Sequence, residues 1–389
     1  MKTQILVLIT LVFWGLNSFS QSENLSKADS LFSEQDYEKA QDIYESFEVA
    51  LNPEQLGNYG FCFYMKEQYK EGLKWIKESA VQGDPKGMRF LGFYYERGLG
   101  NTIPDSKKAV MMYRMAANKG DDVAQMNLGY HYANGVGVDE DVEQAIYWYA
   151  QSAEQGNPRA QNNLGDLYER GASTEKGISE AVELYKLSAE GGDLYGMTNL
   201  GECYENGTGI EKDMNKAIYW YSEAAKEGHS TAQVALGNVY LHGRGVEQDY
   251  EKAYKWFDKA ASQMEIVAMV NIGRMMKEGL GVERDLEMAF KIFNYGAAQN
   301  NPYAQFELAR MYYSGEGVEE NKELCYQLHL KSANHGFVEA MVNVGYLLYH
   351  GEGVEKDIEK AKYWFEKAAQ SGHTYAKEML EEINSKNEE

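Results

Sequence analysis

Apolar residues recur along this chain at helical spacing, and the helical faces themselves recur every 36 residues. In the stretch 157–192, Ala160, Leu164, Leu167 and Tyr168 share one face of a helix predicted to run to about Arg170. A second helix follows a short loop, and together they make one hairpin. A glycine inside the first helix keeps the beat at Gly129, Gly165, Gly201, Gly237, Gly273 and Gly345. Alanines of the second helix keep it at Ala145, Ala181, Ala217, Ala253, Ala289 and Ala361. Another set follows at Ala153, Ala189, Ala225, Ala261, Ala297, Ala333 and Ala369. Self-similarity of this period means stacked supersecondary units. The expectation is an all-α fold, an α/α solenoid built as a right-handed superhelix of helix-turn-helix repeats.

Polar punctuation fits the same units. Asn157 is placed to cap the first helix, with Pro158 in its first turn, where a missing N–H costs nothing. Gly-x-Gly-Val/Ile loops at Gly135–Val138, Gly207–Ile210, Gly243–Val246 and Gly351–Val354 let the chain reverse. Asp141, Asp213, Asp249, Asp285 and Asp357 are placed to cap the second helix. That helix carries Trp148-Tyr149, Trp220-Tyr221, Trp256-Phe257 and Trp364-Phe365, large rings suited to filling the space between units. Gly120, Gly156, Gly192, Gly228, Gly336 and Gly372 are expected to end it.

The ends depart from the beat. Lys2, the apolar run Ile5–Leu16 and Ser18-Phe19-Ser20 read as a signal peptide, residues 1–20, with cleavage expected before Gln21. No cysteine sits at that cut, and the run is short for a membrane span. Residues 21–83 read as two shorter tetratricopeptide-like hairpins, one carrying Ala28, Leu31, Phe32, Tyr37, Ala40 and Tyr44, the other Pro53, Gly60, Gly72 and Trp75. The full repeats occupy 84–372, and 373–389 reads as a capping helix with a polar tail.

Charge narrows the partners. The net formal charge is −22, so nucleic acid and anionic lipid are poor partners, and no integral membrane segment is expected in the mature chain. Cys203 and Cys325 lie three repeats apart, roughly 30 Å at a helix spacing of about 10 Å, far beyond disulfide reach. With Cys62 they are the only cysteines; Cys203 and Cys325 fall on core positions and read as small buried thiols. No metal, phosphate-loop or catalytic constellation stands out. His131 falls where other units place apolar residues and reads as a satisfied core histidine. The chain is expected to need no cofactor or metal and to have no enzymatic activity.

The run Ala-x-x-x-Leu-Gly-x-x-Tyr, Gly-x-Gly-Val-x-x-Asp, Ala-x-x-Trp-Tyr/Phe-x-x-Ala-Ala resembles the Sel1-like repeat family, relatives of tetratricopeptide repeats, over about Gly83–Gly372 in eight units. Ala309 in place of the helix glycine, the loop Gly171-Ala172-Ser173-Thr174 and the longer loop Gly98–Pro104 depart from the pattern. The resemblance implies a protein-interaction scaffold whose first helices line a concave surface. There, Asn127, Asn163, Asn199, Asn271 and Asn343 form a recurring amide ladder. It serves either to bind a peptide backbone or to tie neighbouring helices together. Asp166, Glu169, Glu202 and Glu205 would make an acidic middle; Tyr313, Tyr346 and Tyr349, with Arg274 and Arg310 beside them, an aromatic end. The reading is therefore an exported, secreted or periplasmic adaptor, a monomer gripping a protein or peptide. The rivals are a cell-wall-binding or β-lactamase-like envelope protein and a lumenal adaptor with glycans at Asn24 and Asn206. The relatives behind the β-lactamase analogy carry a cysteine pair in every repeat, which this chain lacks.

Overall fold

The computed structural model describes residues 21–171 and 175–386. The leader read at 1–20, the loop residues 172–174 and the last residues of the tail, 387–389, lie outside the described residues. Helices follow one another in hairpins, and no strand occurs among the described residues. By compactness the chain divides between Gly196 and Met197 into two units. Each unit is a run of such hairpins.

Side-chain caps set the helix starts. Asp105, Asp141, Asp213, Asp249, Asp285 and Asp357 each accept a backbone N–H from the first turn of the following helix. Asn321 does the same for Lys322–Asn334. Each satisfies a donor that the helix geometry orphans. Buried serines close the other end: the Ser152 hydroxyl donates to the Asp122 carbonyl at 2.7 Å, and Ser332 to Pro302 at 2.7 Å. Glycine ends most second helices with φ near +90°, but Met264 (φ 65°) and Asn300 (φ 60°) hold that turn in two hairpins.

The core repeats with the sequence. The helix glycine lies flat against the ring twenty residues later. A Cβ built on Gly237 would stand 2.5 Å from Phe257, and one on Gly345 2.8 Å from Phe365. The rings Tyr113, Tyr185, Tyr221, Phe257, Phe293 and Phe365 are almost wholly buried, as are the beat alanines Ala145, Ala217, Ala253 and Ala361. Small against large at fixed places is how hairpins reach close packing. Cys62, Cys203 and Cys325 are buried, and burial pushes the Cys62 and Cys325 thiols up to about 12.

Ahead of the full repeats, a helix at 21–33 pairs with Tyr37–Ser46, and Pro53–Met65 with Tyr69–Val81. Leu25, Ala28, Ala40, Tyr44, Leu56 and Tyr59 form one cluster there. At the other end, Thr374–Lys386 buries Ala376, Met379 and Ile383 and exposes Glu378, Glu381 and Glu382, the polar face that a terminal helix needs.

Candidate functional site

One hairpin breaks the packing rule. The ring opposite the helix glycine is tyrosine or phenylalanine at 113, 149, 185, 221, 257, 293 and 365, but histidine at 329. In the same hairpin, Pro302–Ser314 with Lys322–Asn334, the glycine becomes Ala309 and the first beat alanine becomes Cys325. Where the backbone partner gained a methyl group, the ring shrank.

A cleft of about 470 Å³ opens at this hairpin, within the second unit. Helix Pro302–Ser314 contributes Arg310, Tyr313 and Ser314 to its lining; Lys322–Asn334 contributes Cys325 and His329. The next hairpin gives Asn343, Tyr346 and Leu347 from Val338–His350, and the previous one gives Lys277 from Ile266–Glu278. Ring lining with a few convergent polar groups is the usual build of a binding site.

The charges beneath the cleft are ordered. Lys277 donates to Glu307 at 2.6 Å, with both residues buried. Arg310, about half exposed, donates to the other Glu307 oxygen at 3.2 Å. Arg284 holds the Lys277 carbonyl and pairs with Glu316 on the cleft wall. Tyr313 donates to Glu352 at 3.1 Å, which also takes Lys322. Burial and this carboxylate raise the Tyr313 hydroxyl.

His329 is 2 % exposed, shares a 3.3 Å hydrogen bond with the Asn343 amide through Nε2, and leaves Nδ1 unpartnered. Burial, with Arg310 nearby, lowers its pKa to about 3. Its folded value lies below the ordinary one near 6.5, so the neutral ring favours the folded state above that pH, and the benefit is lost as pH falls towards 3. Between pH 7 and pH 5 the wild type is expected to lose about 2 kcal/mol more stability than an Ala309→Gly/His329→Phe variant. Urea unfolding at the two pH values measures this, and equal losses would mean the imidazole is solvated.

The sequence-derived candidates do not form one surface. Arg310, Tyr313, Asn343 and Tyr346 come together in this cleft, whereas Asn271 and Arg274 line a smaller one of about 320 Å³ with His242, Tyr303 and Phe337. Tyr349 turns away, donating to Glu382 at 3.2 Å. The acidic positions serve the packed rings. The Tyr185 hydroxyl lies 2.8 Å from both the Asp166 and the Glu169 carboxylates, and burial raises the Asp166 carboxyl. Glu205 accepts from Tyr221 at 2.9 Å, pairs with Arg244 and is buried, so it is not the open acidic residue the sequence suggested. Glu202 is exposed and Asn199 partly buried.

For the amide ladder, the tie between helices is visible at one residue. Asn343 bonds His329, fourteen residues earlier, at 3.3 Å, whereas Asn163 accepts from its neighbour Asn162 at 3.4 Å. Asn271 instead donates to its own helix at Val267, 3.0 Å away, and Asn127 is partly buried. His131 is buried with Nδ1 at 2.7 Å from the Val136 carbonyl, a satisfied core histidine. Lys277 and His329 escaped the sequence reading. The signal for His329 was the coincidence of three departures from the beat in one repeat; Lys277, in the previous hairpin, had none.

A model of the Sel1 repeat matches residues 85–121, 122–157, 158–193, 194–229, 230–263, 266–301, 302–337 and 338–373. A sel1-like repeat-containing protein of Acanthamoeba polyphaga mimivirus is 44% identical over 59 residues, 15% of this chain and 11% of that protein, so the chain spans only a small part of this relative. Among solved structures, a protective antigen of uropathogenic Escherichia coli displaying an SLR fold is 27% identical, with 95% of this chain and 81% of that one covered and a TM-score of 0.71. A Sel1 repeat protein from Oxalobacter formigenes is 30% identical, with 80% and 89% covered and a TM-score of 0.54.

Proposed function

The chain belongs to the Sel1 repeat family, and from that premise we propose that it is a non-catalytic adaptor that grips a segment of a partner protein in the cleft at Arg310, Tyr313, Asn343 and Tyr346. Sel1 repeat solenoids in general serve as interaction scaffolds. The observation that carries the site is the local break in an otherwise regular core, at Ala309, Cys325 and His329. The other hairpins keep a tyrosine or phenylalanine at this place, so the departure in this one, on the lining of the cleft, supports a use beyond folding. The leader-like residues 1–20 support placing the protein outside the cytoplasm, in the periplasm or beyond.

Tyr346 is the test residue. It is a partly buried ring on the cleft wall, its centroid 4.3 Å from that of His350. Aromatic anchors of this kind dominate interface energies, so Tyr346→Ala is expected to weaken partner binding by about 2 kcal/mol, roughly thirtyfold. Asn163→Ala and Asn199→Ala, away from the cleft, are expected to leave it unchanged. Photo-crosslinking in the native host identifies the partner, and titration of the purified pair gives the affinities. Equal affinity for Tyr346→Ala with an intact helical spectrum would remove the cleft from the interface.

A further inference from the structure

We infer that the cleft selects an acidic side chain beside an apolar one: an aspartate or glutamate of the partner protein, next to an aromatic or aliphatic residue. This rests on the reading of the cleft as the gripping point. Three observations point to that chemistry.

First, cations concentrate here although the chain as a whole is acidic. The chain carries −22, yet Lys277, Arg310 and Arg284 gather around Glu307 and Glu316, with Lys322 beside Glu352 and Glu320. Lys277 and Arg310 share the single carboxylate Glu307. Arg310 is the accessible one, using Nη1 on Glu307 and keeping further N–H groups for a ligand. A guanidinium fork suits a carboxylate better than any other partner group available on proteins without modification.

Second, the polar inventory is incomplete. The unpartnered Nδ1 belongs to His329, a ring more than nine-tenths buried that lines this cleft. Buried polar atoms are almost always satisfied, and an open one on the lining of this cleft supports an additional group there.

Third, the lining also has an apolar part, made by Tyr313, Tyr346, Leu347 and Cys325 beside the polar Ser314, Glu316 and Asn343. Tyr313 is tethered to Glu352, and Leu347 is buried behind Tyr346. This side takes an aliphatic or aromatic side chain. The acidity of the surrounding protein limits the motif to one or two carboxylates, since a long acidic segment would be repelled elsewhere.

The test is a phage-displayed random 12-residue library, fused so that its carboxyl end is not free, selected on the purified full-length chain. Phages that also bind the Ala309→Gly/His329→Phe variant, which restores the regular ring and glycine, are sequenced separately. The expected consensus places Asp or Glu next to Leu, Ile, Phe, Tyr or Trp. The best peptide, made with an amidated end, should bind at least tenfold more weakly to Arg310→Gln. It should weaken as much when its own acid becomes an amide, and bind less well in high salt. Arg310→Gln folds normally on this account, because Lys277 still neutralises Glu307.

A consensus without an acid, a need for a free carboxyl terminus, equal affinity for Arg310→Gln or no enrichment overturns the ligand class. Loss of binding in the double variant without any acid preference would still leave the cleft as the gripping point. Full binding to the double variant would sink that reading too.

Discussion

Glu307→Ala is expected to destabilise the second unit by about 3–5 kcal/mol, because it strands Lys277 as a buried charge without a partner. Lys277 and Glu307 are 7 % and 3 % exposed, and their 2.6 Å contact joins the first helices of two successive hairpins. Burying an ion pair is a poor source of net stability, but breaking one from a single side leaves the whole desolvation penalty. Replacing both partners, Lys277→Met with Glu307→Leu, should therefore fall far closer to wild type. Urea unfolding followed by circular dichroism separates the cases. A loss below 1 kcal/mol for Glu307→Ala would show that water reaches the pair. The double replacement also releases Arg310 from its anchor, so it should disturb ligand binding while leaving the fold intact.

Gly353→Ala is expected to cost about 2–4 kcal/mol, more than the same change at Gly351. Both glycines have positive φ, 70° and 74°, and a side chain at such angles costs about 1–2 kcal/mol. Their surroundings differ. A Cβ on Gly351 would meet the Lys356 Cβ at 3.2 Å, a contact that a small local shift relieves. One on Gly353 would stand 2.0 Å from the Lys322 carbonyl oxygen, at the start of the preceding hairpin's second helix, where backbone cannot yield cheaply. The same contact recurs: Gly137 on Ser106, Gly245 on Met214, Gly281 on Tyr250 and Gly317 on Leu286, each the first residue of such a helix. Thermal or urea unfolding of the two single variants decides the matter, and equal losses would refute the contact. Because Glu352 sits between these glycines and holds Tyr313, Gly353→Ala should also shift the cleft wall.

The hairpins, their caps and their buried faces were legible in the sequence. Asp141, Asp213 and Asp357 cap as their spacing predicts, and the beat alanines lie in the core. Those features depend on residues three or four positions apart, which the helix itself brings together. The candidate site was only half legible. Tyr313, Tyr346, Arg310 and Asn343 were found because they stand on the exposed side of a first helix. Glu205 and Asp166 stand at comparable places but are claimed by tyrosines sixteen and nineteen residues onward. Nothing in a first helix's own pattern reveals that its carboxylate is needed by the ring opposite.

The chain's own order thus determined the period, the helices, the capping residues and which faces are apolar, since all of these follow from local geometry repeated at a fixed interval. Tertiary structure alone decided the partners of the polar side chains, why the second loop glycine tolerates no Cβ, and where the packing opens. Those depend on which side chain arrives from the opposing helix or the neighbouring hairpin, 14 to 39 residues away, and on whether its ring fills the space. At His329 it does not, and a cleft remains.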